Sequence, residues 1–106
     1  MIARTWRGIV RAEDAETYAD YIRATGLAAY AATPGNRGAW LLHRTVGERA
    51  EVVTFSLWDS MDAIHRFAGP EAERAVFYPE DNRFLVERDL VAHHWNVVLP
   101  PGRSEP

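Results

Sequence analysis

The chain has no cysteine and no lysine. Without cysteine there can be no disulfide, no zinc–thiolate site and no thiol nucleophile, and the default expectation is a cytoplasmic protein. Basic charge is not in surplus: 12 basic side chains, all arginine, face 15 acidic ones for a net charge of −3. That balance argues against a nucleic-acid partner, which calls for a basic stripe or excess. No apolar run approaches the roughly 18 residues of a membrane span. The uncharged stretch Thr25–Asn36 is rich in alanine and glycine, and Met1–Arg7 has no apolar core of signal-peptide length, so no membrane partner is expected. Glycine-rich phosphate loops, a G-x-S-x-G elbow and paired-carboxylate motifs are also missing. Exclusive use of arginine beside abundant alanine reads as the codon usage of a GC-rich bacterial genome.

What remains is one ordinary globular domain of 106 residues, 47% hydrophobic and 25% charged. Four Trp, four Tyr and four Phe are a heavy aromatic load for this length, so some of them should face a pocket or a partner subunit. Ile2–Arg11 reads as a strand apolar on both faces. Asp14 is expected to cap a helix carrying Ala15, Tyr18, Ala19, Ile22 and Ala29 at helical spacing, which Thr33-Pro34-Gly35-Asn36 ends. Arg37–Val46 and Glu51–Trp58 read as a hairpin, with Gly47 free to take positive φ. Asp59-Ser60-Met61-Asp62 signals an N-cap, and Met61, Ile64, Phe67 and Ala68 form a short amphipathic helix stopped by Gly69-Pro70. Residues 71–88 are expected to hold one or two helical turns, the second opening at Pro79-Glu80-Asp81 with Phe77, Phe84 and Leu85 inward. Residues 89–99 read as the last strand, closing a domain at 1–99, and 100–106 as a disordered tail.

The order β-α-β-β-α-β specifies an α+β, ferredoxin-like fold: a four-stranded antiparallel sheet with both helices on one face. The other face would then expose an apolar patch too large for a monomer in water, so sheet-to-sheet packing into a homodimer is expected.

Several segments resemble antibiotic-biosynthesis-monooxygenase (ABM) domain proteins of the dimeric α+β barrel superfamily. They are Met1–Gly8, Pro34-Gly35-Asn36-Arg37-Gly38, Leu57-Trp58-Asp59-Ser60, Phe67-Ala68-Gly69 and Tyr78-Pro79-Glu80-Asp81, in the family's order across about 1–99. The resemblance implies a cofactor-independent monooxygenase acting on a small aromatic or polyketide-like substrate between sheet and helices. Alternatives are a dimeric small-molecule-binding or accessory protein without turnover, and a haem-binding or haem-degrading monooxygenase. The family's junction Trp matches Trp58. The haem ligand of the haem-degrading branch does not: its place reads Ala75-Val76-Phe77-Tyr78, and Arg4-Thr5-Trp6 stands where that branch has a first-strand Asn. The Asn and Tyr of the quinone-forming enzymes are likewise replaced, by Thr54 or Ser56 and by Ile64 or His65.

Residue chemistry supplies the remaining candidates. Trp58 could give its indole N–H to a substrate oxygen, although it could equally be a core aromatic. Arg4 could hold an enolate or phenolate, because an unpaired buried guanidinium needs an anion, or it could join a salt bridge. Trp6, Tyr78 and Trp95 are further substrate-binding candidates, and His65 and His93 are proton-transfer candidates. His93 and His94 must point to opposite faces of their strand, and no H-x-H or H-x3-H spacing occurs, so no metal site is expected.

Overall fold

The computed structural model describes residues 1–98, so Leu99 and the expected tail at 100–106 lie outside the described residues. Strand β1 (Ile2–Arg11) lies at the centre of a sheet. It is followed by helices α1 (Ala15–Ala24) and α2 (Gly26–Ala32), the hairpin β2 (Asn36–Val46) and β3 (Arg49–Trp58), and helix α3 (Met61–Ala68). A short α4 (Asp81–Phe84) then leads into β4 (Leu85–Arg88) and β5 (His93–Asn96). The strand order is β2-β3-β1-β4, with β5 also on β1 and all pairings antiparallel. This is the expected ferredoxin-like fold, and no helix is long and apolar enough to cross a membrane.

The fourth strand differs from the sequence reading. It is split: β4 pairs with Gly8–Val10 and β5 with Ile2–Thr5, both on the same edge of β1. Residues 90–92 leave that edge and pair instead with the segment after α3, through Arg74↔Val91, Ala75 N–H to Leu90 O (3.0 Å) and Ala92 N–H to Glu73 O (2.7 Å). The strand expected at 89–99 therefore begins four residues earlier and is interrupted, because a competing ladder captures its middle.

The first helix is also divided. Thr25 leaves helical geometry (φ −114°, ψ −85°), its hydroxyl donates to Tyr21 O (2.8 Å), and Gly26 follows. A hydroxyl competing for the i−4 carbonyl beside a glycine is a sufficient cause for a break. Asp14 makes no capping bond; a 3-10 turn over Ala12–Asp14 precedes α1, and the carboxylate pairs with Arg11 (3.0 Å). The other signals behave as expected: Ala63 N–H donates to Ser60 Oγ (3.2 Å), and Gly47 and Gly69 have φ of +62° and +83°.

Side chains alternate along the sheet. Arg4, Trp6, Gly8 and Val10 of β1, with Ala50, Val52, Thr54, Ser56 and Trp58 of β3, are buried towards the helices. Two apolar clusters fill that side, one around Trp6, Val10, Tyr18 and Phe84, the other around Tyr30, Trp58 and Ile64. Gly8 is required here, since a Cβ would sit 2.7 Å from the Trp6 ring. On the opposite face, Trp40, Leu42 and Trp95 are exposed beside half-buried Val53, Phe55 and Leu57.

Candidate active site

A cavity of about 30 Å³ lies between the two apolar clusters. Arg4, Trp6 and Thr54 form its floor on the sheet; Tyr18, Ile22, Gly26 and Tyr30 form one wall on α1 and α2, and Phe67 of α3 another. The strap of irregular chain over residues 69–80 closes it through Ala75–Tyr78, with Asp81 just beyond. Such a volume holds about one water molecule. An aromatic ring needs more room than this.

Arg4 is the unusual residue. It is 2% exposed and has no carboxylate partner among the described residues. One terminal nitrogen donates to Ala72 O (2.5 Å) and to His94 Nε2 (2.8 Å), the other to Arg74 O (3.2 Å), and Nε–H has no partner. Burial lowers its pKa, with Tyr30 opposing, yet a guanidinium keeps its proton in proteins. Because it can only donate, His94 Nε2 must accept, so that imidazole is neutral. Burial first, then the Arg4 charge, holds the pKa of His94 down.

The second polar group is Asp81, 3% exposed. Its carboxylate accepts the Tyr18 hydroxyl (3.2 Å) and the Tyr78 amide (2.6 Å). Burial, and next the Asp81 charge, push the Tyr18 phenol upward; burial also raises Tyr78. Both phenols therefore stay protonated donors at neutral pH.

Of the residues singled out from sequence, Arg4, Trp6 and Tyr78 meet in this cavity, and Trp58, Trp95, His65 and His93 do not. Trp58 is fully buried, donates its indole N–H to Ser56 Oγ (2.9 Å) and stacks edge-on against Tyr30, so it is a core aromatic. The Trp6 N–H is committed to Asp89 O (2.7 Å), leaving its ring as cavity floor. Trp95 lies on the open sheet face with its N–H on Thr5 Oγ1 (2.9 Å). His65 Nδ1 donates to Gly69 O (2.8 Å) and closes the end of α3. His93 sits in register with Thr5 on the open face, whereas its neighbour His94 turns inward to Arg4. Asp81, Tyr18 and Tyr30 were not among those candidates. The only signal for Asp81 is the Tyr78-Pro79-Glu80-Asp81 segment; the two tyrosines are indistinguishable from packing residues at helical spacing.

Haem does not suit these residues. Among the described residues no imidazole lines the cavity, the inward His94 gives its Nε2 to a cation, and Tyr18 and Tyr78 are held in the protonated form that does not ligate iron.

No protein-family model matches the chain, and no curated protein matches its sequence. Solved structures do match over nearly the whole length. One, from Bacillus cereus, carries a provisional assignment as an antibiotic biosynthesis monooxygenase (TM-score 0.70, 18% identity, covering 99% of this chain and 98% of that one). Another is Rv0793 from Mycobacterium tuberculosis (0.64, 17%, 95% and 98%). A third is MhuD from the same organism, a haem degrader with two haems bound in its active site (0.57, 22%, 96% and 100%). The chain thus has the α+β ferredoxin-like fold of these structures.

Proposed function

We propose that the chain binds a small aromatic carbonyl or phenolic molecule beneath its helices and oxygenates it as an ABM-type, prosthetic-group-independent monooxygenase. The observation that carries this reading is Arg4: a buried guanidinium with no carboxylate partner among the described residues, on the floor of a cavity lined largely by aromatic and aliphatic side chains. A buried charge without a counter-charge is costly. An oxyanion arriving with the substrate supplies the missing partner and is stabilised as its charge develops. A substrate that forms such an anion can pass electrons to O2 itself. The stoichiometry Ar–CH2–Ar′ + O2 → Ar–CO–Ar′ + H2O balances without an added reductant, the methylene carbon supplying all the electrons. The protein excludes water and orients the ring between Trp6, Phe67 and Tyr78.

In this reading the active unit is a homodimer formed by packing the open sheet faces around Trp40, Leu42, Phe55 and Trp95. Contiguous exposed apolar surface of this kind is unusual on a monomer.

Anthrone, an enolisable three-ring ketone, is a suitable probe. Wild-type protein should bind it and accelerate conversion to anthraquinone above the protein-free rate, with one atom of labelled O2 entering the product. Arg4→Met should weaken binding roughly 30-fold, about 2 kcal/mol. Arg4-dependent binding without oxygen uptake would favour a non-catalytic carrier, to which the engagement of the Trp58 N–H by Ser56 lends support. Binding indifferent to Arg4 overturns both.

A further inference from the structure

We propose that Asp81 is the proton acceptor of this cavity, acting opposite Arg4 as an enolising pair, with Tyr18 as its positioning residue. The inference rests on the binding reading above and replaces the histidines, neither of which reaches the cavity as His65 or His93.

Asp81 is the one carboxylate on the cavity wall, and it forms no ion pair among the described residues. Two donors hold it, one on each oxygen: Tyr18 O–H on Oδ1 and Tyr78 N–H on Oδ2. Each carboxylate oxygen has two lone pairs, so each keeps one acceptor site. The Tyr78 N–H bond also fastens the turn before α4, a task that an asparagine at this position would perform equally well. The turn alone therefore does not account for a buried charge.

Arg4 and Asp81 line the same space without pairing with each other. A carbonyl compound seated with its oxygen on the Arg4 guanidinium has a carboxylate on the same cavity wall to receive a proton from its α-carbon. The C–H bond breaks, the proton passes to an Asp81 oxygen, the C–H electron pair becomes the enolate C=C bond, and the carbonyl π pair moves onto the oxygen that Arg4 holds. No oxidant is consumed in this step, so it can be separated from any reaction with O2. Tyr18 keeps its own proton and, by donating to Oδ1, holds the carboxylate in place.

The test is deuterium exchange into the anthrone methylene in D2O under argon, followed by mass spectrometry. Wild-type protein should accelerate exchange, and Asp81→Asn should lose at least about 100-fold of that rate while its anthrone affinity and unfolding temperature stay near wild type. Tyr18→Phe should lower the exchange rate at saturating anthrone while its anthrone affinity stays near wild type, because the carboxylate loses the donor that positions it. A merely structural role would weaken rate and affinity together. Absence of exchange by wild type, or undiminished exchange by Asp81→Asn, overturns the proposal. Arg4-dependent anthrone binding, measured on the same samples, decides the fate of the binding reading separately.

Discussion

Individual side chains show where residue type speaks and where only position does. Arg4 was legible as a candidate because a charge in an apolar strand always needs an explanation. The choice between His93 and His94 was not legible, since alternation along a strand assigns opposite faces but not which face is inside. The absolute phase is set by the register Arg4↔His94 on the edge of β1. Trp58 shows the converse difficulty: Ser56, two residues away on the same face, absorbs the N–H that the resemblance would offer to a substrate. His94 itself makes a prediction. It faces Arg4 from β1, Glu73 from the strap, His65 from α3 and His93 from its own strand, and its folded pKa lies below the usual 6.5. The unfolded chain therefore takes up this proton first as pH falls. Stability is fully present above about 6.5 and declines as pH falls through the lowered folded value. His94→Gln, which retains an acceptor for Arg4, should flatten that part of the acid slope in thermal unfolding followed against pH. An unchanged slope would contradict the neutral assignment.

Whole elements were recoverable wherever capping and turn chemistry agreed with periodicity. β1, the hairpin and α3 lie within two residues of their sequence-based bounds, and Ser60 and Gly69 punctuate α3 as expected. The misreadings share one cause: a tertiary contact outweighs a local preference. Residues 85–88 are too few to announce a strand, and 90–92 are drawn off by the strap. The strap's motion is open to test. Arg74 and Val91 face each other in its short ladder, and the chain has no other thiol to interfere. An oxidised Arg74→Cys/Val91→Cys pair should raise stability by up to about 3 kcal/mol. Stopped-flow mixing should show anthrone entry slowed on the order of tenfold, as expected for a closed active-site loop, with reduction restoring it. Equal entry rates in both redox states would mean that the strap does not govern access.

At the scale of the molecule, the α+β class and the antiparallel sheet followed from the order of elements alone. The size of the cavity did not, because it depends on how Trp6, Phe67 and Tyr30 interlock. The open sheet face carries the largest expectation. Glu51 on that face is bound by both Arg7 and Arg44, whose hydrogen bonds, Arg7 first, hold its carboxyl below the usual range. The face thus sets a single Arg–Glu–Arg cluster beside its apolar residues. Sedimentation should give twice the monomer mass for wild type and a lone chain for Trp40→Glu, with helical content retained. A monomeric wild type would remove the dimer from the account.

The two margins of the sheet are unequal. On one side β4 and β5 are four residues each and broken apart by the excursion at 90–92, so they offer no continuous row of free amides and carbonyls. On the other, β2 runs for 11 residues with no strand paired to its outer edge among the described residues. Accidental zippering of copies, edge against edge, has a single place to start. The charged pair Arg37 and Arg44 and the imidazole of His43 along that margin are what stand in its way.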